Sequence, residues 1–202
     1  MFRRVQRVLF PSTVALAGSL WALTAFRKET SLEEHPFVQE LRKAAAQKGT
    51  FEEHAADAHR QHHSPEDRRA HLTFSTLRSP EALPVPPLIF HRTRDSLVLA
   101  IWRMGKGLSG YHPNSVHPGI FATMLDQTCG RAARMAGSIG FTARLVLDYE
   151  EEGPSHPGDY VVESWVDRVD GRKVWLCGEI RELDSGRLTA RGHALFLRPK
   201  GQ

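Results

Sequence analysis

The sequence predicts an α+β domain in which one long helix is wrapped by a curved antiparallel sheet, preceded by an N-terminal leader or membrane helix. Two observations carry this prediction. Residues 117–136 show the three- and four-residue spacing of apolar side chains that is typical of a helix, and four strand-like runs separated by sharp turns follow them. For a strand, a long helix and an antiparallel meander in this order, the economical architecture is a sheet curved around the helix.

The composition allows one ordinary domain with appendages. The chain has 202 residues, of which 41% are hydrophobic and 25% charged, and this length is short for two full domains. Lys and Arg number 27 against 23 Asp and Glu, but residues 1–28 hold five of the bases and no acid. The body is therefore nearly neutral, which argues against nucleic acid as a partner. Two cysteines, Cys129 and Cys177, exclude a disulfide framework and a CxxC zinc site.

Residues 1–28 form the leader, with a basic start, an apolar stretch from about Val8 to Phe26 and a basic stop. The stretch is long enough to span a bilayer core. It fits a cleaved mitochondrial presequence, which is Arg-rich and free of acids, or an uncleaved single-span anchor, or a secretory signal peptide. The secretory interpretation is the weakest, because Trp21 to Phe26 offers no tidy small-x-small cleavage site and no disulfide set follows. The expected location is mitochondrial, with or without a membrane anchor, and another intracellular membrane is the alternative.

Residues 29–79 are polar and charge-dense, and we interpret them as a partly helical linker that holds the body away from a membrane. Two capping-box patterns, at residues 31–34 and 50–53, predict short helices. Histidines crowd this segment, but no carboxylate or thiol lies among them at a recognisable ligand spacing, so a solvated spacer is favoured over a metal site. These histidines are His54, His59, His62, His63 and His71.

The domain itself is predicted to span residues 80–202. Its first residues, 80–87, read PEALPVPP and exclude a helix or a central strand, because proline lacks an N–H and restricts the residue before it. Ser96–Arg103 is mostly apolar, with β-branched and aromatic side chains, and predicts a buried strand. A glycine-rich loop then leads to His117.

The long helix has apolar side chains around most of its circumference, so we expect the domain to enclose most of it. Pro118 lies in the first turn, where proline is tolerated. Asp126 stands out, because a buried carboxylate is costly unless it is hydrogen-bonded or used. Cys129 is interpreted as a small core residue rather than a nucleophile.

Four strands are predicted after the helix. Asp170-Gly171 predicts a hairpin, and Asp184-Ser185-Gly186 predicts a second turn. The inward positions of the last two strands include Gly178 and Gly192, and such small residues would let a helix lie close to the sheet. The four predicted strands are Phe141–Tyr149, Tyr160–Val169, Lys173–Leu183 and Leu188–Arg198.

Three blocks of the body follow one another with compatible gaps. They are His117-Pro-Gly-Ile-Phe-Ala-Thr-Met-Leu-Asp126 with Gly130-Arg-Ala-Ala133, then Thr142–Tyr149, then Val166–Trp175. Together they resemble the hotdog-fold acyl-CoA thioesterase superfamily, specifically its phenylacetyl-CoA-type and mitochondrial acyl-CoA members. The first block is similar to the family's His-Gly-Gly…Asp signature, and the whole resemblance runs from about Val85 to Lys200.

The resemblance implies hydrolysis of acyl-CoA thioesters without a metal or an organic cofactor, in a homodimer or a dimer of dimers with active sites between subunits. Carried over by position, Asp126 is the carboxylate that activates water or attacks the thioester carbonyl. Thr142 matches a hydroxyl that helps to place this water from the neighbouring subunit. The helix start, from His117 to Gly119, would face the thioester oxygen, because its N–H groups and partial positive charge suit the negative charge of the transition state.

The chain departs from this family pattern at Pro118, which replaces the first glycine of the motif and has no N–H to donate. The Gly119 amide or the Asn114 side chain would then be the substitute donor. Arg172 and Lys173, at the predicted hairpin, are candidates to meet the phosphates of coenzyme A.

Two functions remain open at this point. The first is an acyl-CoA thioesterase, and the second is a catalytically weak or inactive module that binds acyl thioesters, which the proline favours. A dehydratase or hydratase of enoyl thioesters is less favoured, because hotdog enzymes of that kind place an Asp–His pair in a different helix motif.

Overall fold

A computed structural model describes residues 31–46, 51–56, 64–112, 114–138, 140–150 and 156–200. The predicted leader, residues 1–28, lies outside them, so its assignment stays a prediction. Within the described ranges, no helix is both long and apolar enough to cross a bilayer.

The described residues form three α-helices and seven β-strands. The helices are α1 (Pro36–Ala46), α2 (Pro65–Ala70) and α3 (Pro118–Met135). The strands are β1 (Glu52–His54), β2 (Leu88–Arg92), β3 (Leu97–Met104), β4 (Phe141–Tyr149), β5 (Gly158–Asp170), β6 (Lys173–Glu182) and β7 (Leu188–Leu197). The predicted long helix, the strand before it and the four strands after it are thereby confirmed, with boundaries that differ by one or two residues.

All seven strands form one antiparallel sheet in the order β1-β2-β3-β5-β6-β7-β4. The expected meander after the helix is wrong for its first strand. β4 does not pair with β5 but crosses to the far edge of the sheet and pairs with β7, because α3 carries the chain across one sheet face before β4 begins. β4 therefore has a described neighbour on one side only.

The helix α3 lies against one face of the sheet, which we call the inner face. Its buried side chains include Phe121, Met124 and Leu125, and they pack with inward residues of β3, β5, β6 and β7. A Cβ added at Gly178 or Gly192 would collide with the Leu125 side chain. The prediction that small inward residues let the helix lie close is confirmed.

The side of α3 away from the sheet is more open than we expected. Its N-terminal residues Pro118 and Gly119 are exposed, and Asp126 is only partly buried. In a single chain, the sheet encloses one face of the helix and leaves the opposite side accessible. The apolar residues Phe121, Met124, Leu125, Cys129 and Ala132 are nevertheless buried within this chain.

The outer face of the sheet carries a second apolar core, and residues of the predicted linker build part of it. Leu32, Val38 and Leu41 are buried there with side chains of β2, β3 and β5. The pattern at residues 50–53 wrongly predicts a helix, since Glu52–His54 is a strand that pairs with β2. Part of the expected spacer is thus packed on the domain, because its few apolar side chains cover the outer face. The boundary at residue 80 stays a prediction.

The turns behave as their glycines predict. Gly171 and Gly186 have φ angles of 52° and 67°, which favour glycine because L side chains rarely adopt positive φ. Residues 80–87 contain neither helix nor strand, as their prolines indicate. The strand β2 (Leu88–Arg92) directly follows them and is an element that the patterns above do not predict.

Candidate active site

The middle of α3 brings two of the predicted site residues together. The Thr142 hydroxyl donates a hydrogen bond of 2.6 Å to Asp126 Oδ1, and both side chains are partly buried. Asp126 lies on α3 and Thr142 near the start of β4. Within one chain, Thr142 thus holds the carboxylate itself, and its expected role in placing the water from the neighbouring subunit stays a prediction.

The hydrogen bond leaves one carboxylate oxygen for another partner. Thr142 occupies Oδ1, and a carboxylate accepts several hydrogen bonds. Oδ2 of Asp126 has no hydrogen-bond partner among the residues that the structure describes. A partly exposed carboxylate with a fixed orientation and one open oxygen can accept a proton from a water molecule.

The start of α3 is capped by a side chain. His117 is the N-cap residue, and its Nδ1 accepts a hydrogen bond of 2.9 Å from the Gly119 N–H. Pro118 occupies the first helical position and has no N–H to offer. The expected role of Gly119 as an open amide donor does not fit this arrangement, because its N–H is already used within the chain.

Tyr149 is a residue of this region that the sequence did not reveal. Its hydroxyl donates a hydrogen bond of 2.8 Å to the carbonyl oxygen of Pro118, so the end of β4 is tied to the start of α3. Burial raises the pKa of the Tyr149 hydroxyl, which keeps it protonated as a donor. Only its place at the end of the strand after the helix could have drawn attention to it.

Asn114 lies in the loop before α3 with a φ angle of 58°, a left-handed conformation that asparagine tolerates better than most residues. Its carbonyl oxygen accepts a hydrogen bond of 2.8 Å from His156 Nδ1. The backbone contact fixes the loop.

Arg172 and Lys173 lie at the opposite end of the domain from the helix start. The Arg172 carbonyl accepts a hydrogen bond of 2.9 Å from the Arg198 N–H, and the Arg198 guanidinium donates to the Ala136 carbonyl at the C-terminal end of α3. An 18-residue helix is about 27 Å long. One chain therefore does not bring this hairpin and His117 to the same small site.

Cys129 and the linker histidine His54 pack within the chain. Cys129 is completely buried, and burial raises the pKa of its thiol, so the interpretation as a core residue is confirmed. Of the linker histidines, His54 stacks on His91 with ring centroids 4.0 Å apart, while residues 57–63 lie outside the described part of the chain. Among the described residues, no group of three or more His, Cys, Asp or Glu side chains is arranged to hold a metal ion.

Comparison with known proteins identifies relatives of this chain. No family model matches the chain. Acyl-coenzyme A thioesterase THEM4 of Xenopus laevis is 31% identical over 111 residues, which are 54% of this chain and 49% of that protein. THEM4 of Rattus norvegicus is 30% identical over 110 residues, 54% of this chain and 46% of that protein. The chain spans about half the length of the curated relatives it matches.

Solved structures show the same fold. A thioesterase superfamily protein matches 95% of this chain and 91% of its own with a TM-score of 0.50 at 21% identity. The zebrafish thioesterase superfamily member 2 matches 71% of this chain and 93% of its own with a TM-score of 0.50 at 13% identity. The resemblance to the hotdog acyl-CoA thioesterase superfamily is confirmed.

Proposed function

We propose that this protein hydrolyses acyl-CoA thioesters to a free acid and coenzyme A. The observation that carries the proposal is the hydrogen-bonded pair of Asp126 and Thr142, at the position of the carboxylate in a motif shared with a superfamily of acyl-CoA thioesterases. The relation to proteins named acyl-coenzyme A thioesterase supports the substrate class.

In the proposed reaction Asp126 acts as a general base. The open oxygen of Asp126 takes a proton from a water molecule, and the resulting hydroxide forms a bond to the thioester carbonyl carbon. The carbonyl oxygen becomes an oxyanion. When it re-forms the double bond, the C–S bond breaks, and the proton on Asp126 passes to the leaving thiolate. Thr142 keeps the carboxylate oriented throughout.

One chain cannot present the base and the helix start to one carbonyl group. The helix begins at Pro118, eight residues before Asp126, so the base lies about 12 Å along the helix axis from the first helical residue. A carbonyl carbon attacked by water at Asp126 therefore needs its oxygen stabilised by the helix start of a second chain. This spacing supports a site between two subunits.

The edge strand β4 suggests how the two chains meet. Thr142 lies near its start, and Tyr149 at its end is bonded to the helix start at Pro118. If β4 pairs antiparallel with its copy, the start of one strand lies beside the end of the other. This pairing would satisfy the open edge and would place the Asp126–Thr142 pair of one chain beside the helix start of its partner.

We assign two further parts of the chain by the same proposal. Arg172 and Lys173 are exposed at the β5–β6 hairpin and would make charge-assisted contacts to coenzyme A phosphates. The acid-free, basic and apolar residues 1–28 would direct the protein to mitochondria or anchor it to a membrane. Fusing residues 1–28 to a fluorescent protein tests this address, and diffuse fluorescence in the cell would refute it.

Thiol release by the purified full-length protein, measured with a panel of acyl-CoA esters, tests the main proposal. We expect thiol release by the parent protein and a loss of about 1,000-fold in kcat for Asp126→Asn, since general-base catalysis contributes about that much. Glu66→Gln, an exposed carboxylate on α2, is the control and should retain full activity. Unchanged turnover in Asp126→Asn would reject Asp126 as the base.

The second candidate is a module that binds acyl thioesters without hydrolysing them, and Pro118 with its missing N–H favours it. A parent protein that binds acyl-CoA in equilibrium titrations but releases no thiol would establish this candidate. The same result would reject the hydrolase.

A further inference from the structure

The backbone at the start of α3 offers no open donor to a substrate. Pro118 has no N–H, the Gly119 N–H donates to His117 Nδ1, and the Ile120 N–H donates to the His117 carbonyl oxygen over 2.9 Å. These are the first three helical positions, where a helix ordinarily presents its free amides. An oxyanion bound at this helix start must therefore find its hydrogen bond elsewhere.

The same contacts define the protonation of the His117 ring. A nitrogen that accepts a hydrogen bond from an amide carries no proton, so Nδ1 is unprotonated. In the neutral imidazole the proton is then on Nε2. The ring is exposed, and among the described residues Nε2 has no hydrogen-bond partner. His117 is thus an N–H donor that its own helix holds at the point where the backbone amides are missing or occupied.

We infer that His117 Nε2–H is the oxyanion donor of this protein and takes over the role of the amide that Pro118 removes. The inference rests on the proposed hydrolysis. The imidazole donates to the thioester oxygen and stays neutral, as a hydrogen-bonding electrophile rather than a proton donor. The hydrogen bond from the Gly119 N–H caps the helix and at the same time fixes the orientation and the tautomer of the His117 ring.

The other polar groups nearby are less suited to this task. The Tyr149 hydroxyl is committed to the Pro118 carbonyl, so it positions the helix start. Asn114 belongs to the preceding loop, where its backbone carbonyl contacts His156. Among the residues that the structure describes, its side chain makes no contact that would aim it at the helix start.

The tautomer is the first test, and it needs no substrate. Long-range ¹H–¹⁵N correlation spectra of the full-length protein with ¹⁵N-labelled histidine, assigned with a His117→Ser sample, should show an unprotonated Nδ1 and a protonated Nε2. A protonated Nδ1 at neutral pH would overturn the inference. His112→Ser, which removes an exposed histidine of the preceding loop, is the assignment control.

The kinetic test separates donation from capping. Serine is a good N-cap residue, so His117→Ser keeps the helix start but removes the ring N–H. We expect kcat to fall by about 100-fold or more, the loss typical of an oxyanion donor, with KM nearly unchanged and an unchanged melting temperature. Adding Pro118→Gly to this variant restores a backbone N–H and should recover at least about 10-fold of the lost kcat, an appreciable part of such a donor's contribution.

The outcomes distinguish this inference from the proposed function. Parental kcat in His117→Ser, combined with loss of activity in Asp126→Asn, would overturn the role of His117 and leave the hydrolase intact. A silent parent protein that gains activity with Pro118→Gly alone would also overturn it, since His117 would then have failed as a donor. A parent that stays silent with and without Pro118→Gly would refute both.

Discussion

The start and the middle of α3 differ in how the chain supports their polar groups. In the middle, the side chain of Thr142 on β4 orients Asp126 across 16 residues of sequence. At the start, the support is local, because His117 is held by the N–H of Gly119, two residues away. The orientation of Asp126 therefore depends on the packing of the helix against β4, whereas the orientation of the His117 ring is set within the first turn of the helix.

Local support of the donor explains how the motif tolerates proline. A backbone donor at the first helical position is lost completely when proline replaces glycine, because no neighbouring backbone group can move into its place. A capping side chain can lie at the same position without any change in the fold. The first turn can thus exchange its donor locally, while the carboxylate cannot move without the sheet.

The largest effect expected from the difference between the start and the middle of α3 is on the activity of mixed dimers. Asp126→Asn chains and His117→Ser chains, each inactive alone, should form heterodimers when co-expressed with different affinity tags. If each site takes its base from one chain and its helix start from the other, one of the two sites of a heterodimer carries both defects and the other none. Thiol release by the purified heterodimer should then reach about half of the parental rate per dimer, as expected for an isologous two-fold assembly.

Homodimers of each variant, carried through the same purification, are the control for this experiment. A heterodimer as inactive as these homodimers would show that both groups of one site come from the same chain. That result would refute the shared site while leaving the role of Asp126 untouched.

Replacing Thr142 tests how far its hydrogen bond supports Asp126 in the middle of α3. Thr142→Val keeps the shape of the side chain and removes the hydroxyl, so the carboxylate loses a hydrogen bond of the kind that contributes about 1.5–3 kcal/mol. We expect a fall of about 10- to 100-fold in kcat with little change in KM. Thr142→Ser retains the hydroxyl and should stay within a few-fold of the parent. A loss in Thr142→Ser with parental kcat in Thr142→Val would show that the methyl group, rather than the hydrogen bond, supports the site.

Much of the inner-face architecture could be predicted because its patterns are local. The helical spacing from Ile120 to Ala136 and the strand alternation from Val174 to Ile180 depend only on which side chains meet the core. The β5–β6 turn is predictable in the same way, because glycine at Gly171 readily adopts the positive φ that this turn needs. These features need no knowledge of the partner strand.

The rest depended on tertiary pairing. β1 has three residues, Glu52, Glu53 and His54, and none of them favours a strand without the register that β2 provides. The position of β4 at the sheet edge follows from its pairing with β7, which the order of the strands in the sequence does not reveal. For the site, the motif predicted the importance of Asp126 and Thr142. It could not show that one chain supplies both, or that His117 occupies the Gly119 amide.

Packing under the middle of the helix predicts a smaller effect, on stability. A Cβ at Gly192 would meet both a methyl group of Leu125 and the Val146 carbonyl oxygen, so Gly192→Ala should lower the free energy of unfolding by about 1–3 kcal/mol, as overpacking usually does. Denaturant titration measures this loss. Gly130→Ala is the matched control, because its Cβ would lie an ordinary 3.5 Å from the Phe196 ring and alanine favours a helix. Equal stability of the two variants would contradict the close packing at Gly192.

Replacing Glu163 tests whether pH effects on stability are independent of pH effects on the reaction. Burial, and then the charge of Glu179 on the adjacent strand, raise the pKa of this carboxyl from 4.5 to about 7. Between these two values the unfolded chain ionises while the folded chain does not, so Glu163 makes the protein less stable as pH rises, until the folded state also ionises near pH 7. Glu163→Gln removes this titration. At pH 8 it should be more stable than the parent, and at pH 4 the two should be alike. Glu163 lies on the outer face, so the pH profile of kcat should be unchanged, and a shifted profile would show that the two faces of the sheet are coupled.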